Sequence, residues 1–307
     1  MDYYWLCPLY SFTCDSESIK LNEYTNIILA PAELKKIVRE QLPKRAGLDL
    51  DNPDDFQWAL QLSHSQHNTT KQKIDIMDIV GYIHWFLHFF VWSLRLHKKG
   101  CVTPGPVHQL QNNNGEILKY STFNSTLCRN GFSKQPTYEL NKNDIPNIKN
   151  ILSIFNSRYS KAISSQLKIA LDRFDAAYYE TIEDSLIDQM IAFESLFLGD
   201  EQELNYKLAM RAAFFLEKDE EKRNVTFSNI KKAYNLRSKI VHGSEQFNHE
   251  KLEIIIPLTE EYLRQSIKKF LFLFSKEYTL DVKRGKKDIL VKLDKNILTN
   301  GQTLTIS

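Results

Sequence analysis

Glycine is scarce in this 307-residue chain. There are ten glycines, about 3% of the residues, whereas soluble proteins typically have ~7%. Neither G-x-G-x-x-G nor G-x-x-x-x-G-K-[ST] occurs in the sequence. Both phosphate-binding motifs need glycine because the backbone itself must approach the phosphate closely. The sequence therefore argues against a P-loop enzyme and against a dinucleotide-binding enzyme.

Cysteine is also infrequent, with four residues and no C-x-x-C pair: Cys7, Cys14, Cys101 and Cys128. This number does not support a dense disulfide framework. The N-terminal residues lack a basic segment followed by an apolar run, so we expect no signal peptide. Together these features predict a cytoplasmic protein.

The charge is nearly balanced, with 40 lysines and arginines against 38 acidic residues and a net charge of +2. This balance argues against a protein that holds nucleic acid by bulk charge, and against an acidic disordered chain. Between Lys222 and Ser244, however, there are six basic residues and no acidic one. We therefore expect a local basic face, with Lys231, Lys232 and Lys239 as candidate RNA-binding residues.

One uncharged run, Ile79–Leu94, is a candidate for a membrane-spanning segment. It is shorter than the ~20 residues that a spanning helix requires, it contains His84 and His88, and basic residues follow it. We expect a core helix over about residues 74–97 and no membrane partner, with contact to a lipid surface as the alternative. Its aromatic residues could stack on bases, although burial in a core is the simpler interpretation.

The pattern of apolar residues divides the chain near residue 150. Residues 1–150 are predicted to form a mixed α/β domain of unknown role, with strands at Tyr3–Phe12 and Ile19–Leu29 and a helix after Pro31. Residues 155–277 show helical periodicity throughout and predict an antiparallel helical bundle. Residues 278–307 are basic and alternate in DILVKL, which predicts a small β-like tail. The fold class is therefore mainly α.

Within the second half, five helices are predicted from apolar residues spaced three and four apart. The first two begin near Ser160 and Ile182, the latter ending at Gly199, and the third begins near Leu204. The fourth is predicted over Ser228–Gly243, with the serine as N-cap and the glycine just beyond the C-terminus. The fifth covers about residues 251–274, with Pro257 as an early kink or a start point.

The fourth helix, SNIKKAYNLRSKIVHG, contains the strongest candidates for chemistry. Its apolar stripe passes through Ile230, Ala233 and Ile240, and Arg237 occupies a position on that stripe. A charge placed against protein needs a partner or a function. His242 follows five residues later, about 140° further round a regular helix. Either the last turn unwinds, or a second copy of the helix completes the site.

Arginine and histidine together suit the cleavage of RNA without a metal. Arginine offers a fork of donors to phosphate oxygens, and histidine transfers protons near neutral pH. The ribose 2′-OH would attack the adjacent phosphorus and leave a 2′,3′-cyclic phosphate. The pattern R-x4-6-H is loose, however, and about one match is expected by chance. The alternative interpretation is that Arg237 pairs with Glu194 and that His242 only caps the helix.

Three consecutive segments resemble a known family. AYNLRSKIVHG (Ala233–Gly243), IAFESLFLGD (Ile191–Asp200) and ELNYKLAMRAAFFL (Glu203–Leu216) are similar to segments of the HEPN (higher eukaryotes and prokaryotes nucleotide-binding) domains, in their ApeA-like branch. The resemblance covers about residues 155–277 and implies a HEPN-like bundle.

The resemblance also implies an activity. It points to an endoribonuclease that works without metal or other cofactor, as a homodimer formed through the helix 228–243, in bacterial defence or a toxin–antitoxin system. RNA is then the substrate, and an antitoxin or regulatory protein is a further expected partner. Arg237 and His242 occupy the family's catalytic positions. Glu194 and Ser238, the latter at a position where the wider family more often has Asn, Asp or His, have supporting roles. The alternative is a catalytically silent module that binds RNA or protein.

Two histidine pairs elsewhere in the chain are candidates for metal ligands. His84 and His88 lie one helical turn apart, as in zinc-binding helices, but no third ligand is evident. His64 and His67 are similarly close in sequence. We interpret all four as ordinary core or surface residues and predict no metal site.

Overall fold

A computed structural model of the chain describes residues 2–41, 56–63, 76–113, 116–123, 136–156, 165–199, 204–243, 249–277 and 282–299. These residues belong to two compact units, Met1–Ser153 and Ile154–Ser307. The predicted division near residue 150 falls beside this boundary.

The first unit combines a sheet with helices. In chain order its elements are β1 (Asp2–Tyr10), β2 (Phe12–Cys14), β3 (Ser18–Lys20), β4 (Thr25–Leu29), α1 (Ala32–Gln41), β5 (Trp58–Ser63), α2 (Ile76–His97), β6 (Thr103–Pro104), β7 (Val107–Asn113), β8 (Glu116–Phe123), β9 (Tyr138–Leu140), a 3-10 turn (Lys142–Asp144) and α3 (Ile145–Asn156).

Strand β1 lies at the centre of the larger sheet, whose order is β3-β4-β5-β1-β7-β8. It pairs antiparallel with β5, where Leu6 faces Gln61, and with β7, where Leu6 faces His108. A separate parallel pair joins β2 to β9. Residues of α1 pack with the sheet in a core formed by Leu6, Tyr10, Leu34, Ile37, Val38, Phe56, Ala59 and Leu110.

The predicted strand at Ile19–Leu29 is in fact two strands, β3 and β4. The side-chain oxygen of Asn22 accepts a hydrogen bond from the backbone N–H of Tyr24 at 2.8 Å. Such a local bond by asparagine favours a turn over continued extension. The segment therefore folds back on itself as a hairpin.

Helix α2 is a core helix, as its sequence predicts. Four of its six aromatic residues are buried, namely Phe86, Phe89, Phe90 and Trp92, whereas Tyr82 and Trp85 are 52% and 45% exposed. Among the helices that the structure describes, none combines the length and apolar character needed to cross a bilayer. Most of the aromatic surface that could have stacked on bases is therefore used in packing.

The C-terminal end of α2 is tied to the 3-10 turn through Asp144. Its carboxylate accepts hydrogen bonds from the ammonium of Lys98 and the backbone N–H of Asn141, and bonds the ring of His97 at 2.9 Å. Burial alone would raise the pKa of Asp144, but these bonds outweigh burial and lower it to about 2. The ionised carboxylate therefore stabilises the folded unit.

Replacing Asp144 with asparagine is expected to lower the free energy of unfolding by about 1 kcal/mol near neutral pH, after allowance for solvent screening. Because the folded pKa is depressed, the contribution is complete above the unfolded value of 3.8 and is lost as the pH falls towards about 2. Urea unfolding followed by fluorescence should show a smaller difference at about pH 3 than at neutral pH. A difference of the same size at both pH values would contradict this assignment, and the exposed Asp172→Asn is the control.

The second unit is a helical bundle. Its elements are α4 (Ser165–Ala176), α5 (Ile182–Phe197), α6 (Leu204–Leu216), α7 (Glu220–Val241), α8 (His249–Glu277) and α9 (Val282–Leu298). Phe197, Phe215 and Phe270 pack together at its centre, with ring centres 4.6–5.4 Å apart. Asn205 at the start of α6 donates a hydrogen bond to Asn235 near the end of α7 at 2.7 Å. Helices α6 and α7 are therefore antiparallel neighbours, as short connections predict.

One predicted helix start was wrong. Helix α7 begins at Glu220, with Asp219 as N-cap accepting a hydrogen bond from the backbone N–H of Lys222 at 3.0 Å. Ser228, the predicted N-cap, lies inside the helix, because the polar residues before it continue the helical turn on its exposed side. Helix α8 begins at His249, within two residues of its predicted start, and Pro257 lies inside it.

The predicted β-like tail was also wrong, because residues 282–298 form helix α9. Six alternating residues are too few to distinguish a strand from one face of a helix, and the buried Ile289, Leu290 and Leu293 have helical spacing. Two tertiary contacts hold this helix in place. Arg211 on α6 makes a two-pronged ion pair with Asp294, and Lys286 donates to the backbone oxygens of Ser195 and Leu198 at the end of α5.

Candidate functional site

Helix α7 carries Arg237 on the stripe that faces the rest of the bundle. The buried residues of this helix are Thr226, Ile230 and Ala233, and Arg237 lies one turn further along the same side. Its side chain is half-buried, and its Nε is enclosed without a hydrogen-bond partner in the described part of the chain. An enclosed donor without a partner costs ~1–3 kcal/mol. Packing alone therefore does not explain an arginine here.

Tyr234 and Glu194 form a cluster with Arg237. The guanidinium carbon of Arg237 lies 6.0 Å from the centre of the Tyr234 ring. Burial raises the pKa of the Tyr234 hydroxyl, the carboxylate of Glu194 on α5 raises it further, and the charge of Arg237 lowers it. The three side chains are thus electrostatically coupled, and the phenol keeps its proton near neutral pH.

The interpretation that Glu194 simply neutralises Arg237 requires a direct contact between them. Over the residues that the structure describes, neither a hydrogen bond nor an ion pair joins the two side chains. Glu194 instead acts on Tyr234, both through its charge and as a hydrogen-bond acceptor for the phenol. The guanidinium therefore keeps donor capacity for a further negatively charged group.

His242 lies at the C-terminal end of α7 with an exposed side chain. Its backbone N–H still donates to the oxygen of Ser238 at 3.1 Å, so the last turn does not unwind. Gly243 follows with a φ of 64°, the left-handed conformation expected of a glycine just after a helix. The side chains of Arg237 and His242 consequently remain about 140° apart around the axis. Within one copy of the chain, they face different directions.

The outer side of α7 is basic. Lys231, Lys232 and Lys239 are exposed, and Ser238 is half-buried. At ~100° per residue, Lys231, Ser238 and His242 lie within about 20° of one line along the helix. A chain of phosphates following this line would meet the ammonium of Lys231 and the hydroxyl of Ser238 and end at the histidine.

A groove opens beside this basic side, between the start of α6 and the middle of α7. Its volume is ≈ 740 Å³, and it is lined by Leu204, Asn205, Tyr206, Lys231 and Tyr234. Tyr234 therefore belongs both to the groove and to the cluster around Arg237. The groove and the arginine are adjacent parts of one region.

Three residues of this region were missed by the sequence analysis, although all lie in the quoted segments. Tyr234 could have been found, because it precedes Arg237 by three positions and helical neighbours at that spacing lie side by side. Asn205 and Tyr206 come from a different helix. No pattern in the sequence indicates that they approach Lys231.

No group of three or more potential metal ligands occurs among the residues that the structure describes. The rings of His84 and His88 lie 4.9 Å apart between their centres on α2. His64 and His67 fall outside the described residues, as does Cys128.

Comparison of the chain with protein-family models, with curated proteins and with solved structures finds no match. The resemblance to HEPN domains thus stays a prediction from the three sequence segments.

Proposed function

We propose that this protein is a metal-independent endoribonuclease that acts as a homodimer. The observation that carries the proposal is Arg237, a half-buried arginine whose enclosed Nε has no partner in the described residues, five residues before an exposed His242. A charged group kept at a cost to stability is typical of a site that binds an oppositely charged ligand. The resemblance to HEPN domains points to RNA as that ligand.

The two side chains have complementary tasks in this reaction. The 2′-oxygen of the ribose attacks the adjacent phosphorus, and its proton passes to a neutral imidazole. Arg237 stabilises the charge that develops on the phosphate oxygens. An imidazolium donates a proton to the departing 5′-oxygen as its bond to phosphorus breaks. The products are a 2′,3′-cyclic phosphate and a 5′-hydroxyl, and no metal or cofactor is consumed.

A second copy of the chain would supply the histidine that one copy does not direct at the phosphate beside its own Arg237. Arg237 and His242 diverge around α7, so one helix alone does not direct both at one phosphate. Two antiparallel copies of α7 would place two arginines and two histidines in one cleft, where Arg237 of one copy and His242 of the other act on one phosphate and this histidine serves first as base and then as acid. Val241 is 51% exposed beside His242. This apolar side chain would contribute to an interface between two copies at this end of α7.

Mixed dimers test whether the site is shared. If Arg237 of one copy acts with His242 of the other, co-expressed Arg237→Met and His242→Ala chains should recover roughly a quarter of the wild-type activity, because about half the dimers are mixed and each has one intact site. Each variant alone should be inactive. Cleavage of a labelled single-stranded RNA measures the recovery. Absence of recovery, with mixed dimers verified by differential tagging, would contradict a shared site.

The same divergence of Arg237 and His242 favours a second candidate, a catalytically silent module that binds RNA or protein. In that case purified protein cleaves no RNA, and the Arg237 and His242 variants keep the full biological effect. The resemblance also places the proposed activity in bacterial defence or a toxin–antitoxin system. Expression in a bacterial host, with and without His242→Ala, separates these possibilities by growth: only an active ribonuclease loses its toxicity with the histidine.

A further inference from the structure

We propose that the groove between α6 and α7 binds one nucleotide of single-stranded RNA, with the base stacked on Tyr206 and the phosphate beside Lys231. This inference rests on the proposed function, because it identifies the form of RNA that the region around Arg237 accepts. It also names residues, Tyr206 and Asn205, that the proposed reaction does not use.

The size of the groove fits such a ligand. Pockets for small organic molecules are typically ~300–1,000 Å³, and this one is ≈ 740 Å³. It is open along one side of the bundle rather than enclosed, so a nucleotide could occupy it while its neighbours continue along the chain. This arrangement suits a polymer better than a free small molecule.

Tyr206 supplies a surface for stacking. Its side chain is 50% exposed, and its ring contacts that of Phe227 edge to face, with centres 5.6 Å apart. The contact with Phe227 supports the tyrosine from one side while much of the ring stays accessible. Stacking of a base on such a ring is tolerant of sequence and requires a base that is not paired in a duplex.

Lys231 supplies the positive charge. Its ammonium lies 5.7 Å from the centre of the Phe227 ring, so the same phenylalanine contacts both the stacking residue and the cation. A base on Tyr206 and a phosphate near Lys231 would then be held by neighbouring groups. This pairing of an aromatic ring with a cation is the usual means of binding single-stranded nucleic acid.

Asn205 provides an incompletely bonded polar group in the same groove. Its amide donates to Asn235 at 2.7 Å, but its Oδ1 is enclosed and has no hydrogen-bond partner in the described residues. Rotation of this side chain at the edge of the groove would present the oxygen to a donor on a base edge. Because Oδ1 of Asn205 lacks a hydrogen bond in the described residues, the groove favours a ligand with N–H groups over a purely apolar one.

The position of Tyr234 links the groove to the proposed reaction. It lines the groove, and its ring centre lies 6.0 Å from the guanidinium carbon of Arg237. A nucleotide in the groove would therefore direct its neighbouring phosphodiester towards Arg237. The groove thus selects single strands and positions them for cleavage.

Binding can be measured without cleavage by using a fluorescein-labelled ten-nucleotide RNA whose 2′-oxygens are methylated, because the attacking hydroxyl is then absent. Fluorescence anisotropy should show that Tyr206→Leu weakens binding about tenfold, whereas Tyr206→Phe, which keeps the ring, binds like wild type. Tyr24→Leu, at a tyrosine of similar exposure in the first unit, is the matched control and should have no effect. Binding of the same sequence as a duplex should be insensitive to Tyr206→Leu.

If Tyr206→Leu does not fold, the salt dependence of RNA binding by a second variant, Lys231→Ala, tests the proposal instead. Lys231→Ala should reduce the slope of log Kd against log salt concentration by roughly 0.7, the loss of one phosphate contact on a single strand. Equal binding by wild type and folded Tyr206→Leu, or equal loss in Tyr206→Phe and Tyr206→Leu, would overturn the proposal, as would an unchanged salt slope in Lys231→Ala.

The two proposals fail in different ways. Protein that binds methylated RNA through Tyr206 but never cleaves unmodified RNA would leave the groove assignment standing and overturn the ribonuclease. If the Tyr206→Leu variant cleaves unmodified RNA at the same sites and rate as wild type, the assignment of the groove is overturned and the ribonuclease proposal stands.

Discussion

Replacement of His242 by alanine is expected to lower the rate of RNA cleavage by about a hundredfold or more, because general acid–base catalysis by a positioned side chain contributes ~10²–10⁴ in rate. The side chain is exposed at the end of α7, so its removal should leave the bundle folded. Single-turnover cleavage of a labelled RNA measures the rate. Circular dichroism and sedimentation should show unchanged helix content and unchanged dimer.

His249 is a matched control for this experiment. It is likewise exposed, it lies at the start of α8, and it forms an ion pair with Glu183 at 3.4 Å. We expect His249→Ala to cleave RNA at the wild-type rate. If both variants cleave as fast as wild type, His242 is not the catalytic acid and the silent binding module becomes the better explanation.

Replacement of Arg237 by methionine is expected to slow cleavage by about a hundredfold or more without destabilising the fold. Loss of one donor to a developing oxyanion typically costs ~10²–10³ in rate. Methionine keeps an unbranched apolar chain on the buried stripe and removes the enclosed Nε, which has no partner in the described residues. The free energy of unfolding should therefore stay the same or rise by up to about 1 kcal/mol.

Arg211→Met provides the contrasting case of a structural arginine. Its guanidinium makes two hydrogen bonds of 2.7 Å to Asp294 and one of 2.8 Å to the backbone oxygen of Phe197. Arg211 is 6% exposed and Asp294 is 45% exposed, so loss of these bonds should lower the free energy of unfolding by about 2 kcal/mol. Urea unfolding of both variants tests the difference. If Arg237→Met proves as destabilising as Arg211→Met and still cleaves RNA, Arg237 is a structural residue.

Much of the bundle could be predicted because helical periodicity is a local property. The apolar stripes of α5 and α6 fall within single helices, and their ends coincide with local signals such as Gly199. Predictions failed where the local signal was weak. Helix α7 begins two turns before its apolar stripe is apparent, and α9 was misassigned because DILVKL is compatible with both a strand and a helix.

The same distinction applies to the candidate site. Arg237, His242 and Lys231 lie on one helix, so their relative directions follow from 3.6 residues per turn. Asn205 and Tyr206 belong to α6, and only the packing of α6 against α7 brings them to Lys231. The sequence also left open whether the last turn of α7 unwinds, because glycine after a helix is compatible with either outcome.

The amino-acid sequence by itself thus determined the helical class of the second half, the absence of glycine-rich phosphate loops, and an arginine on the buried stripe of α7. The tertiary structure decided that this arginine has no ion pair with Glu194, that its neighbour is Tyr234, and that a groove opens beside it. The physical reason is that periodicity specifies which face of a helix is buried but not which residues of other helices meet that face. The contacts between helices depend on how the side chains of all the helices pack together.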